Sequence, residues 1–233
     1  SQFEEATIEL LREAHWQYAF GDDIHRKYTD PLIEEDLRNF LTVQYKDKNL
    51  TTSEMDSIVA NLRNTGGQND YYALRNAFLL YRDGYDFAYS DGRDNPFRLE
   101  YIDFEHPDHN IFRCVNQFVM EQGRENRRPD ILLFINGIPV CIIELKNPTK
   151  QNATIHDAHT QICTRYMRDI PALLKYCALA VISDGAKNAL GTTYTPFEFF
   201  YEWKKIENED KAGKGLDTLR TLIRGALSPE RIL

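Results

Sequence analysis

The stretch RRPDILLFINGIPVCIIELKNPTK, residues 127–150, constrains this chain more than any other part of it. Two apolar runs, ILLFI and IPVCII, flank an Asn136-Gly137 pair, the strongest short-range signal for a β-hairpin. Strands apolar at every position are covered on both faces, so the hairpin belongs in the interior of a sheet with layers on either side. Yet Asp130 stands at one end of the pair, and Glu144 and Lys146 at the other. Ionised groups at the ends of buried strands are costly unless they are compensated by each other, by a metal ion or by a substrate.

The register of that hairpin decides whether the acids can meet. A plain two-residue turn pairs Ile135 with Ile138 and Asp130 with Ile143, and Glu144 then faces away, because a one-residue slip moves every side chain to the other face. A shared face requires a loop with an odd number of residues, or a bulge. The simplest solution is a three-residue loop, Ile135-Asn136-Gly137, with Gly137 left-handed. Phe134 then pairs with Ile138 and Asp130 with Ile142, and the two carboxylates come within about 6 Å.

Asp130, Glu144 and Lys146 form a P-D, thirteen residues, E-x-K pattern. Two converging carboxylates are hard oxygen ligands suited to Mg²⁺, which keeps waters and takes phosphate oxygens. A lysine two residues after the glutamate projects from the same strand face and can stabilise charge developing on phosphorus. Together these suit metal-assisted hydrolysis of a phosphodiester. E-x-K by itself is common, recurring at Glu202–Lys204 and Glu209–Lys211, and a second P-D occurs at Pro107-Asp108. What distinguishes Asp130 and Glu144 is that both adjoin the most apolar strands of the chain. The competing reading is a structural ion pair at the sheet's end.

Periodicity organises the rest. FEEATIELLREA is an amphipathic helix and WQYAF a short strand. Residues 24–95 read as a helical insertion, with start signals at Asp30-Pro31, a capping box at TTSE and a stop at NTGG. FRLEYIDFE, IFRCVNQFVMEQ and YCALAVISDG read as strands, and NATIHDAHTQICTRYMRDIP as a helix. TPFEFFYEWKKI reads as a short aromatic helix. ENEDKAGKG, residues 207–215, is a polar linker before the helix LDTLRTLIRG. LSPERIL begins a helix that is cut short, the expectation for a piece of a longer polypeptide. The sequence thus predicts a mixed α/β domain over residues 1–206, followed by a linker and helix over 207–233.

Composition narrows the class. With 42% hydrophobic and 27% charged residues, the chain has the make-up of an ordinary soluble protein. It has no apolar run of membrane-spanning length and no signal segment. Cys114, Cys141, Cys163 and Cys177 are scattered singly, as reduced cysteines of a cytoplasmic protein are. A net charge of −8 argues against a non-specific nucleic-acid coat. It leaves room for a locally basic site built from Arg124, Arg127, Arg128, Lys146, Lys150, Arg165 and Arg168.

The segments NIFRCVNQFVMEQGRENRRPDILLFINGIPVCIIELKNP, DIPALLKYCALAVISDG and GTTYTPFEFFYEWK resemble the N-terminal region of the type I restriction endonuclease R (HsdR) subunit. The likeness runs from the first helix to LSPERIL and is weakest in the insertion. It implies a PD-(D/E)xK restriction-endonuclease-like core, a mixed central sheet flanked by helices, that cuts double-stranded DNA with Mg²⁺. A helicase-type motor would supply ATP-driven translocation, and methyltransferase and specificity subunits would be partners. Asp130 and Glu144 would be metal ligands and Lys146 the catalytic lysine; a first-helix glutamate, Glu4 or Glu5, would add a ligand.

That family often carries Q-x-x-x-Y in the helix after E-x-K. Here Gln161 is followed by Arg165 at the expected place and by Tyr166 one position late. On an α-helix Arg165 lies roughly 40° from Gln161 and Tyr166 roughly 140° away. The expectation is that Gln161 and Arg165 position DNA or the site while Tyr166 packs in the core. His156, Asp157 and His159 read as a partly exposed helix face, Glu105–His109 as a polar turn, and AGKG lacks the rest of a P-loop. Alternatives are a stand-alone nuclease of junction-resolvase or repair type, which the cut-off C-terminus opposes, and a catalytically silent DNA-binding or docking module, which the intact Asp-Glu-Lys set opposes.

Overall fold

A computed structural model describes residues 1–146, 154–206 and 213–233. Its centre is a six-stranded mixed sheet formed by β1 (Gln17–Phe20), β4 (Phe112–Asn116), β7 (Ile131–Ile135), β8 (Ile138–Leu145), β9 (Leu179–Ser183) and β10 (Asn188–Gly191), in that spatial order. The β1–β4 and β8–β9 pairs are parallel and the other three antiparallel. Two small hairpins stand apart, β2 (Tyr85–Phe87) with β3 (Phe97–Leu99), and β5 (Met120–Gln122) with β6 (Glu125–Arg127). Every residue of β7 and β8 is buried, as their unbroken apolar runs require.

Two hydrophobic clusters cover the sheet's two faces. One packs α1 (Gln2–Glu13), α2 (Glu34–Gln44), α3 (Thr52–Asn64) and α4 (Asp70–Asp83) against Ile131, Leu133, Cys141 and Ile143. The other packs α5 (Ile155–Thr160), its continuation to α6 (Met167–Asp169), and α7 (Pro171–Leu174) against Leu132, Phe134, Ile142 and Ile182. Local chemistry sets the helix starts: Ser1 with Glu4 and Thr51 with Glu54 form reciprocal capping boxes, and Asn69 caps α4. The helical reading of residues 24–95 holds for α2 to α4, but the segment closes with the strand β2. The carboxyl-terminal α8 (Leu216–Leu222) joins the first cluster through Leu219 and Leu222. The Trp16 indole donates to the Leu227 carbonyl at 2.7 Å from within the same core. A last turn, α9 (Pro229–Ile232), follows Ser228. Among the described residues no helix is long and apolar enough to cross a membrane.

Two expectations are corrected. TPFEFFYEWKKI is not a helix: only Phe197–Phe199 makes a 3₁₀ turn, after which the chain is extended and Tyr201 bridges Leu190. Phe200 lies against Gly191, where any side chain would meet its ring. The hairpin loop is also different. Ile135 pairs with Ile138, so Asn136-Gly137 is a two-residue turn, with φ of 50° and 77°, the doubly left-handed form that matches strand twist. The odd residue sits in the strand: Phe134 pairs with Pro139 and Leu133 with Cys141, leaving Val140 as a bulge. Lys150 and most of the 207–215 linker lie outside the described residues.

The turn is locked into the body of the protein. Asn136 is fully buried, and its amide donates to Tyr101 O and Asn110 Oδ1 while its Oδ1 accepts from Ile111 N. A Cβ on Gly137 would fall 2.1 Å from the Ile33 carbonyl oxygen. Gly137→Ala therefore combines a left-handed φ with a backbone collision and is expected to lower stability by about 3 kcal/mol or more. Urea unfolding measures this, and an unchanged midpoint would contradict the packing described.

Candidate active site

The Val140 bulge rephases β8. Beyond it Leu132 pairs with Ile142 and Ile131 with Ile143, which sets Asp130 directly across from Glu144 on one face. Val140 and Cys141 both lie in the first cluster, two successive residues facing one way, as a bulge allows. Asp130 ends the approach to β7, and its Oδ2 accepts the Leu145 amide at 2.8 Å. Glu144 is 2% exposed within β8. Lys146 follows as the chain leaves β8, its own amide donating to Ser183 O at 2.8 Å.

A closed hydrogen-bonded circuit surrounds Glu144. The Lys146 ammonium donates to Glu144 Oε1 at 3.0 Å and to Gln161 Oε1 at 2.5 Å. The Gln161 amide donates to the Tyr166 hydroxyl at 2.6 Å, and that hydroxyl donates to Glu144 Oε2 at 3.3 Å. Burial first, then the Asp130 charge, pushes the Glu144 carboxyl up to about 8, against the pull of Lys146 and the Tyr166 hydroxyl. Burial also raises Asp130, with Glu4 adding to the rise and the Leu145 amide opposing it.

The circuit depends on helix geometry that the sequence conceals. Residues Gln161–Tyr166 are π-helical, so the backbone bonds from i to i+5 and the helix widens by one residue. The extra residue between Gln161 and Tyr166 is absorbed, and the two side chains meet. Tyr166 is 3% exposed. It packs in the second cluster as expected, but its hydroxyl also completes the circuit. Arg165 does not take its place: it is exposed and makes no ion pair among the described residues.

Of the two first-helix glutamates the structure brings only Glu4 toward Asp130. Glu5 is exposed, whereas Glu4 is 8% exposed and accepts from Asn116 Nδ2 at 3.0 Å and Gln117 Nε2 at 2.7 Å. Burial pushes its carboxyl up, but these amides and the α-amino group outweigh it and hold it below its usual value. Gln117 in turn donates its backbone amide to Asp130 O at 3.2 Å. Helical phase alone separates Glu4 from Glu5, since Glu4 shares a face with Thr7, Ile8 and Leu11.

The other candidates lie elsewhere. His159 Nε2 pairs with Thr195 O at 2.9 Å, and His156 and His159 pack edge-on against Phe197, while Asp157 serves the Thr154 cap. Pro107-Asp108 lies in a 3₁₀ turn. Cys114, Cys141 and Cys177 are buried, Cys163 is partly buried, and all four are free thiols.

With Glu144 ionised, as when it holds a cation in place of its proton, two carboxylates and one ammonium leave a net negative charge in a mostly buried site, with Glu4 adding another alongside. An all-oxygen set of that charge fits a hard divalent cation such as Mg²⁺ and lacks the imidazole or thiolate donors that softer metals prefer.

A mixed sheet whose central hairpin aligns Asp130 and Glu144, with Lys146 beside a covering helix, has the form of a PD-(D/E)xK-like nuclease core. Residues 1–199 match the family described as "Type I restriction enzyme R protein N terminus", and the chain belongs to that family. It is 29% identical over 245 residues to the "Type I restriction enzyme HindI endonuclease subunit" of Haemophilus influenzae, covering 100% of this chain and 23% of that protein. It is 30% identical over 215 residues to the "Putative type I restriction enzyme MjaIXP endonuclease subunit" of Methanocaldococcus jannaschii, covering 89% and 20%. The "Type I restriction enzyme EcoprrI endonuclease subunit" of Escherichia coli is 31% identical over 133 residues, covering 53% of this chain and 40% of that protein. The chain thus spans less than a quarter of the first two relatives' length.

Proposed function

We propose that the chain is the Mg²⁺-dependent DNA-cutting domain of a type I restriction R subunit. It hydrolyses phosphodiester bonds of unmodified foreign double-stranded DNA after ATP-driven translocation by the rest of the subunit, working in the cytoplasm with methyltransferase and specificity subunits. The bulge at Val140 carries the reading, because it alone reconciles a two-residue turn with two carboxylates on one face.

Asp130 and Glu144 would hold the cation, and the Glu4 charge, which acts on Asp130, would support it. The cation, when bound, supplies polarisation of the phosphate and a more acidic water. The chain's own residues do the rest. Lys146, fixed between Glu144 and Gln161, places positive charge where negative charge grows on phosphorus. Gln161 and Tyr166 hold Lys146 and Glu144 in orientation by locking both into one circuit. The decisive experiment asks whether cleavage, and not ATP turnover, disappears with Asp130, Glu144 or Lys146.

The basic groups near the site divide into two kinds. Buried Asp169 takes the Arg127 Nε at 2.7 Å and the Arg168 Nε at 2.6 Å. Arg127 thereby ties the β5–β6 hairpin to the helix that covers the site. Arg124 at the hairpin's tip, Arg128 two residues before Asp130, and Arg165 are exposed and have no ion-pair partner among the described residues. These three are assigned to DNA phosphates, together with Gln161 at the site itself. Combined Arg124→Ala, Arg128→Ala and Arg165→Ala in the full-length subunit is expected to reduce the slope of log K against log salt by about 2–3. An unchanged slope would remove these residues from the DNA path.

A further inference from the structure

The loop between β3 and β4 gathers a second set of donors of a different chemical type. Asp103 is 4% exposed. Its Oδ1 accepts the backbone amides of Glu105 at 3.1 Å and His106 at 2.9 Å, and its Oδ2 accepts the Gln44 amide at 3.0 Å. The Nδ1 of His109 lies 2.9 Å from Oδ2, and the Nδ1 of His106 lies 3.5 Å from Oδ1. One ligand atom from each of the three residues falls within 4.8 Å of the others. The two imidazoles stack, with centroids 4.8 Å apart and planes at 19°.

Turn formation accounts for part of this arrangement. An aspartate whose carboxylate accepts amides two and three residues on anchors a loop, and one histidine can complete its shell. The second histidine is unexplained. The His106 side chain is 58% exposed, its ring makes no hydrogen bond among the described residues, and its Nδ1 still faces the same carboxylate. Donors about 2.0–2.1 Å from a tetrahedral metal lie about 3.3–3.4 Å from one another. The distances of 2.9 and 3.5 Å, to the two different oxygens of the carboxylate, bracket that spacing, and rotation of the two half-exposed rings would draw the three donors, now within 4.8 Å of one another, onto one ion. Two imidazole nitrogens and one carboxylate oxygen suit a borderline cation such as Zn²⁺, not Mg²⁺.

We propose that Asp103, His106 and His109 form a binding site for a borderline divalent cation of the Zn²⁺ type, separate from the catalytic carboxylates. Six residues of strand and turn, about 20 Å at 3.3 Å per residue, separate Asp130 from Asn136, the end of the hairpin to which this loop is tied. Asn110 makes the tie: its Oδ1 accepts from Asp103 N at 2.9 Å and from Asn136 Nδ2 at 2.7 Å. A cation here staples the loop that holds the catalytic hairpin's turn, so its effect is on stability. The site does not rest on the nuclease reading, and its test needs neither DNA nor cleavage.

The test is calorimetric titration and thermal melting of this chain with Zn²⁺ alone as the probe, in excess Mg²⁺ to satisfy the Asp130–Glu144 pair. One equivalent of Zn²⁺ is expected to bind, and at about a hundredfold excess over its Kd to raise the melting midpoint by about 5–10 °C. His106→Asn with His109→Asn should weaken binding at least about tenfold and remove the rise. His106→Ala alone, which removes a ring 58% exposed and without a hydrogen bond among the described residues, should show the same weakening even if the double variant folds poorly. Zn²⁺ uptake unchanged in both variants would overturn the site. So would uptake that follows Cys163→Ser instead, or no uptake below millimolar Zn²⁺.

Discussion

Alanine at Asp130, Glu144 or Lys146 in the full-length subunit, assembled with its partners, is expected to abolish DNA cleavage while ATP-driven translocation continues. Phosphodiester chemistry and motor chemistry would occupy different domains, so the two activities should separate cleanly. Each residue makes a distinct contribution: two oxygen donors across the hairpin, and one ammonium fixed by Glu144 and Gln161. Loss of several kcal/mol of transition-state stabilisation corresponds to at least about a thousandfold in rate. Asp130→Asn is a useful companion because its amide oxygen can still accept the Leu145 N–H that Asp130 holds at 2.8 Å. A folded Asp130→Asn protein that translocates without cutting isolates chemistry from structure. Cleavage at the native rate in any one of the alanine variants would remove that residue from the site.

The parts of the fold set by short-range chemistry could be read from the sequence. Apolar runs without alternation mark β7 and β8 as interior strands, and the pairs Ser1–Glu4 and Thr51–Glu54 mark helix starts. Asn136-Gly137 marks the turn, but the Val140 bulge left no trace. All eight residues of β8 are buried, so no polar residue reports which face each position takes. The sequence required a phase correction between turn and site, and only packing decided that the strand and not the loop would supply it. The π-helical turn was hidden for a related reason. QICTRY satisfies ordinary α-helical periodicity, and only the wider turn brings Gln161 to Lys146 and Tyr166 to Glu144. The aromatic stretch that begins at Thr195 shows the converse. Its ring spacing suited a helix, but Tyr201 found a strand partner in Leu190 and Phe200 a seat on Gly191.

Glu144→Gln is expected to make the metal-free protein more stable at pH 8 and to leave its stability at pH 4.5 nearly unchanged. The folded-state carboxyl titrates at about 8, above its ordinary 4.5, chiefly because of burial and then the Asp130 charge. A carboxyl raised in this way keeps its proton in the fold while the unfolded chain releases it. Its contribution is intact below pH 4.5 and is lost as pH rises from there through about 8, at about 1.4 kcal/mol per pH unit. A glutamine amide copies the protonated form, still accepts from Lys146, and carries no charge at any pH. The variant should therefore lose this slope and gain about 4–5 kcal/mol near pH 8, or about 8–20 °C in melting midpoint. Mg²⁺ should erase much of the difference by stabilising the native carboxylate and leaving the amide little affected. Parallel melting curves for the two proteins from pH 5 to 8 would mean that the charge on Glu144 is already balanced without a cation. In that case the excess negative charge that makes this a metal site would be absent.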